Sequence, residues 1–229
     1  MITEKRKLLQ LVAAVLLAVM LLTACASGAS KAADKIELGQ KYLTELNYTE
    51  AVASFTEAIR LDPDNIQAYM GRAEAYLALG EYEKALEDYR FVSQKTEEMP
   101  YTRAISYMGQ AEVYEKIDKQ DRALADYGLA KVLLTASDVG KAESVSEDDI
   151  KIKLVEALYA HAMLSEKIKV YDNALEDYEE LLKLGEKVEA KRGEILSQLG
   201  ESIEEENGLL GTEADKVASE PNTEEPIEE

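Results

Sequence analysis

Chemistry needs groups that converge, and this chain offers few. One thiol, Cys25, and one imidazole, His161, are the only residues of their kind among 229. A single cysteine forms no disulfide within the chain and builds no cysteine-based metal site. Nucleophilic catalysis of the Ser-His-Asp or Cys-His kind needs an imidazole to take the proton, so it would have to run through His161. That residue stands beside Ala162 in an apolar-periodic stretch and reads as a helix-surface or interface histidine. No glycine-rich phosphate loop is present. Acid pairs such as Glu87-Asp88, Glu97-Glu98 and Asp148-Asp149 arise by chance among 46 carboxylates and read as solvated faces. No enzyme, cofactor or metal site is expected on these grounds. Charge excludes another class. With 26 Lys+Arg against 46 Asp+Glu, the net charge of −20 repels phosphate backbones, so nucleic acid is not an expected partner.

Cys25 sits where an address would end. Lys5, Arg6 and Lys7 form a basic patch, and Leu8 to Leu22 follow with no charge and one polar residue, Gln10. This is a positive n-region and an apolar h-region of signal-peptide length. It is short for a spanning helix, which needs about 20 apolar residues. The segment closes on Leu22-Thr23-Ala24-Cys25, which resembles the bacterial lipobox. The resemblance implies lipidation of the Cys25 sulfur and cleavage before it, with extracytoplasmic, lipid-anchored placement on the inner or outer membrane. Residues 1–24 are then the signal peptide and 25–31 the lipidated cysteine and tether. Seven extended residues reach only about 25 Å, so the folded part would sit close to the bilayer.

Behind the tether the sequence repeats. A small residue is followed three later by Tyr, nine after that by Ala, four later by an aromatic and three later by a small or apolar residue. Gly39, Tyr42, Ala51, Phe55 and Ala58 fit, as do Ala73, Tyr76, Ala85, Tyr89 and Val92. Ala111, Tyr114, Ala123, Tyr127 and Ala130 form a third set. Ala162, Ser165, Ala174, Tyr178 and Leu181 form a fourth, with Ser in place of Tyr. Gly39 to Ala73 is 34 residues; the next steps are 38 and 51, placing four extra residues near Glu97 to Tyr101 and 17 largely in Thr135 to Asp149.

This pattern resembles the tetratricopeptide repeat, whose period is 34 residues. Leu38-Gly39 and Pro63, and Leu79-Gly80 with Tyr82, carry further parts of it. The resemblance implies an all-α solenoid of antiparallel helix pairs. Small residues sit where the two helices cross, and aromatics fill the gaps between repeats. One pair cannot bury its apolar face alone, so the pairs must stack. The expected repeats are 32–65, 66–99, 104–137 and 150–184, with a polar insertion over 138–149. Asp62-Pro63-Asp64-Asn65 offers caps between two helices, and Ser146 to Asp149 has capping-box spacing. A capping helix is expected over 186–206, and a disordered acidic tail over 207–229.

The resemblance also implies a peptide groove lined by the first helix of each pair, one residue after the small position, three before it and four after it. Carried onto this chain, those positions are Ile36, Gln40 and Leu43; Met70, Glu74 and Leu77; Met108, Glu112 and Glu115; Tyr159, Met163 and Glu166. The family's carboxylate clamp needs Lys and Asn, but this chain holds Ile36, Gln40 and Gly71 there, so acidic chaperone tails are not expected ligands. Met surfaces adapt to varied partners, and acidic rims favour basic ones. The sequence therefore predicts a membrane-anchored adaptor that binds a basic or amphipathic segment of another protein and helps assemble or position an envelope complex. The rival expectation is a structural or surface lipoprotein that touches cell-wall or host molecules through its acidic insertion and tail.

Overall fold

A computed structural model describes residues 30–136, 139–141, 143–185 and Ser197. The expected signal segment, Cys25 and the acidic tail lie outside these residues, as does the expected capping helix apart from Ser197. Among the described residues every regular element is a helix. They are α1 (30–44), α2 (Tyr48–Leu61), α3 (Ile66–Ala78), α4 (Tyr82–Lys95), α5 (Pro100–Lys116), α6 (Gln120–Leu134), α7 (Glu147–Lys167) and α8 (Tyr171–Lys183). The chain divides into two compact units, Met1–Ala157 and Leu158–Glu229.

In the first unit each helix packs on the next from α2 to α6, and α3 also reaches α5. The small positions explain this closeness: Ala51, Ala73, Ala85, Ala111 and Ala123 have no exposed surface. The aromatics join one pair to the next. A Cβ added at Gly71 of α3 would lie 2.3 Å from Phe55 Cζ, and one at Gly109 of α5 would lie 2.4 Å from Tyr89 Cζ. Each ring therefore rests on the bare backbone of the following pair. Side chains are absent there because a methyl group already leaves no van der Waals room.

Every first helix ends in the same turn, seven residues after its small position. Leu46, Gly80, Asp118 and Lys169 all take positive φ, at 60°, 75°, 56° and 64°. The amide one residue further on donates to the carbonyl five residues back, as Asn47 to Tyr42, Glu81 to Tyr76, Lys119 to Tyr114 and Val170 to Ser165. This is the Schellman closure, which satisfies helix-end carbonyls. Only the second repeat uses glycine, the residue for which this backbone is free of Cβ strain.

Length changes fall largely at first-helix starts. Ala73 lies seven residues after Ile66, Ala111 eleven after Pro100, and Ala162 fifteen after Glu147. The four residues inserted before the third repeat thus add a turn to α5, with Pro100 in its first turn where a missing N–H costs nothing. Asn65 caps α3 by accepting from Ala68 N at 3.2 Å. Ser146 caps α7, accepting from Asp149 N at 3.1 Å, and its hydroxyl donates to the Asp149 carboxylate at 2.6 Å. α7 starts three residues ahead of Ile150, where the repeat spacing alone had placed it.

The polar insertion does more than bridge. Glu143 accepts hydrogen bonds from Tyr101 N at 2.8 Å, Thr102 N at 3.0 Å and the Thr102 hydroxyl. A carboxylate here satisfies orphan amides and favours the positive end of α5, whose N-cap, Met99, has no side-chain acceptor to offer.

Candidate protein-binding site

The expected groove positions separate into three kinds. Leu43 is buried, packed with Phe55, Ala51 and Ala75, and Ile36 lies against the same cluster. These two stabilise the first pair more than they offer surface. Met70, Leu77 and Met108 are half-buried, and Gln40, Glu74 and Glu112 are exposed. Glu115 is half-buried and engaged, accepting from the Tyr127 hydroxyl at 2.7 Å. In the second unit Met163 is 56 % exposed. Tyr159 and Glu166 are half-buried there, and Glu166 accepts from the Tyr178 hydroxyl at 3.3 Å.

Glu74 on α3 and Glu112 on α5 face a common space. Neither has a hydrogen bond or ion pair among the described residues. Desolvation by the surrounding helices raises the Glu74 carboxyl above its ordinary range, the Glu112 charge raises it further, and Lys153 pulls it partly back. Lys153 itself pairs with Glu156 at 2.7 Å. Burial raises the Tyr89 phenol, and the Glu74 and Glu112 charges add to it. Burial and the bond to Glu115 hold the Tyr127 phenol protonated in the same way. Tyr178 is pushed up to about 12 by burial and Glu166. The face of α3 and α5 is thus electronegative, with Lys153 offsetting only part of the charge and with methionine and leucine beside it. It can take an apolar side chain next to a cation.

Beneath this face a second column of polar residues holds the helices of a pair together. The residue before the small position and the residue before the second-helix aromatic are Arg72 and Asp88 in the second repeat. They form a bidentate pair, Nε to Oδ2 at 2.7 Å and Nη2 to Oδ1 at 2.8 Å. Asp88 is buried, and burial pushes its carboxyl up while Arg72 pulls it back; the fork geometry keeps both groups charged. In the fourth repeat the same two positions are His161 and Asp177, bonded through Nδ1 and buried at 7 % and 0 % exposure. His161 is therefore interior rather than on a helix surface. In the third repeat the pair is broken. Gln110 turns to the Ser93 hydroxyl, and Asp126 Oδ2 is left buried with no partner. Asp126 is pushed up to about 6 by burial, against the pull of Arg90 and Arg122.

His161, Asp177 and Ser165 bring serine, histidine and aspartate types together, since Ser165 lies one turn beyond His161. They do not form a catalytic relay. Ser165 Oγ is sealed with no hydrogen-bond partner, so it makes no bond to the imidazole, and its side chain has no exposed surface. No group of three or more His, Cys, Asp and Glu poised for a metal occurs among the described residues. An open hollow of about 500 Å³ lies at the α5–α6 turn, lined by Asp118 to Arg122, and contains none of the expected groove residues. No described helix is long and apolar enough to cross a membrane.

The comparisons with known proteins agree with this geometry. A tetratricopeptide repeat family model matches residues 36–90. A tetratricopeptide repeat protein from Parabacteroides merdae, solved by crystallography, is 21 % identical with a TM-score of 0.50, over 83 % of this chain and 66 % of its own. The fold is a tetratricopeptide-type helix-pair solenoid. The human small glutamine-rich tetratricopeptide repeat-containing protein beta is 44 % identical over 50 residues, 22 % of this chain and 16 % of that protein. Tetratricopeptide repeat protein 36 of Caenorhabditis briggsae is 51 % identical over 43 residues, 19 % of this chain and 24 % of that protein. The chain thus spans about a quarter or less of the curated relatives it matches.

Sequence reading missed Tyr89, Tyr127 and Lys153 as parts of the site. A signal for the tyrosines was present. The position four after the small residue reads Leu43, Leu77, Glu115, Glu166, and the two glutamates there accept from the second-helix tyrosines.

Proposed function

We propose that this chain is a protein-interaction scaffold, held at a membrane by lipid on Cys25, that assists the assembly or positioning of an envelope complex. The observation that carries the binding part is the pair Glu74 and Glu112, neither of them in an ion pair, beside half-buried Met70 and Met108. Stacked helix pairs present such a face for a segment of another protein. An amphipathic, basic segment fits it, with apolar side chains on the methionines and cations on the carboxylates. The lipid anchor rests on the Leu22-Thr23-Ala24-Cys25 motif and its preceding apolar run. Two acyl chains hold a protein far better than one, which suits a scaffold that stays in place while partners exchange.

Two experiments test the two halves. Metabolic labelling with an alkyne fatty acid is expected to mark the wild type and not Cys25→Ser; equal labelling overturns the anchor. Cross-linking pulldown from native membranes is expected to capture an envelope protein with the wild type and lose it when Met70 and Met108 are replaced by Glu. Capture that is unchanged, or absent, overturns the binding face.

A further inference from the structure

Resting on that binding face, we propose that Glu74, Glu112 and Tyr89 form a seat for the guanidinium of an arginine in the partner segment. The argument begins with the second-helix rings. Tyr127 donates to Glu115 and Tyr178 to Glu166, each acceptor standing four residues after the small residue of its own repeat. In the second repeat that position is Leu77, whose side chain accepts nothing. Tyr89 is 5 % exposed, and its hydroxyl has no hydrogen-bond partner among the described residues. The sealed and unpartnered polar side-chain atoms there are Arg103 Nε, Asp126 Oδ2 and Ser165 Oγ, so the Tyr89 hydroxyl is not fully sealed. It lies under the combined charge of Glu74 and Glu112.

The Tyr89 ring rests on Gly109 of α5, three residues before Glu112, and both carboxylate charges act on its phenol, so three acceptors without a donor share this face. A phenol and two carboxylates all accept from a cation's N–H groups. A planar fork with five donors can reach separate acceptors at once, and a guanidinium gives up its water more readily than an ammonium does. The arginine stem would lie over Met70 and Met108, which are half-buried. Lys153 lies near enough to act on Glu74, but its ammonium pairs with Glu156 and not with either seat carboxylate.

The test uses the full-length chain in detergent micelles at 0.15 M salt. The probes are three fluorescein-labelled, 12-residue amphipathic helical peptides of Leu and Ala, bearing two Arg, two Lys or two citrulline residues. Citrulline keeps the shape and removes the charge. The arginine peptide is expected to bind at least about tenfold tighter than the citrulline peptide, and several-fold tighter than the lysine one. Glu74→Gln with Glu112→Gln should weaken arginine binding about tenfold or more, and Tyr89→Phe about threefold to fivefold. Tyr89→Phe keeps the ring, and Phe55 fills the same position in the first repeat, so folding is preserved. Glu83→Gln with Glu87→Gln, exposed on α4, should change binding less than twofold.

Equal binding of the arginine and citrulline peptides, or of the arginine and lysine peptides, overturns the seat. So does indifference to the Glu74, Glu112 and Tyr89 changes, or an equal loss from the α4 pair. Met70→Ala with Met108→Ala separates this from the wider reading. If that variant weakens all three peptides while the seat variants do nothing, the binding face stands and the seat falls. If neither set of changes matters, both fall.

Discussion

Replacing Gly71 by Ala sets two physical effects against each other. On α3 the change removes a glycine from a helix interior, which by propensity alone would stabilise by about 1 kcal/mol. The packing predicts the reverse. The new Cβ would stand 2.3 Å from Phe55 Cζ and 2.6 Å from Cε1, where ordinary carbon contacts lie near 3.5–4.0 Å. The ring must move by more than an ångström, and Gly39 on its other side leaves no room, since a Cβ there would lie 2.8 Å from the same ring. Overpacking of this kind costs about 1–3 kcal/mol, so after the propensity gain the net effect is a loss of roughly 0–2 kcal/mol. That corresponds to a Tm lower by up to roughly 6 °C for a unit of this size. The assay is thermal and urea unfolding by circular dichroism in two backgrounds, wild type and Phe55→Leu. With the smaller side chain the clash is relieved, and Gly71→Ala should become neutral or stabilising. A stabilising Gly71→Ala in the wild-type background, or the same loss in both, would refute the claim that aromatic rings seat on bare backbone between pairs.

Other consequences follow from the same structure. Leu46 sits at φ 60° and is 68 % exposed, so Leu46→Gly should raise stability by about 0.5–1 kcal/mol, read as a higher urea midpoint, while the same change at an ordinary helical position lowers it. Arg72→Ala leaves buried Asp88 unpaired and should cost about 3–5 kcal/mol, whereas Arg60→Ala, at an exposed pair with Glu57, should leave the urea midpoint nearly unchanged. Asp126 has a folded pKa raised to about 6, so the folded state holds its proton more tightly than the unfolded chain does. Its penalty is absent well below pH 3.8, grows as pH rises from there toward 6 and is complete above it. Asp126→Asn should therefore gain about 1 kcal/mol at pH 7.5, after discount for partial exposure, and little at pH 4, checked by urea midpoints at the two values.

The repeat columns were open to sequence reading because a helix pair imposes small residues and rings at fixed spacing. Ala51, Ala85, Phe55 and Tyr89 all fall where that spacing put them. The turn at small-plus-seven was visible only at Gly80. Leu46, Asp118 and Lys169 adopt the same backbone without the residue type that announces it, because the two flanking helices fix the chain there. The pairs Arg72–Asp88 and His161–Asp177 stand 16 residues apart, a separation that means nothing until two antiparallel helices lay the positions side by side. That distance is why the sequence left His161 as either a helix-surface or an interface residue, and the bond to Asp177 of α8 puts it at the interface. Glu143 is the longest reach of all: an acid in a polar insertion gave no sign that it closes α5 from about 40 residues away. Leu43 is the converse case, a family groove position that packs into the core of the first pair.

The central claim is that the α3–α5 face binds another protein. The most direct test places a photo-cross-linking amino acid at Met108, half-buried on that face, or at Glu83, exposed on α4, in cells carrying the full-length chain. The account predicts one discrete membrane-protein adduct from position 108 and none from 83. No adduct from 108, or the same adducts from both positions, would contradict it.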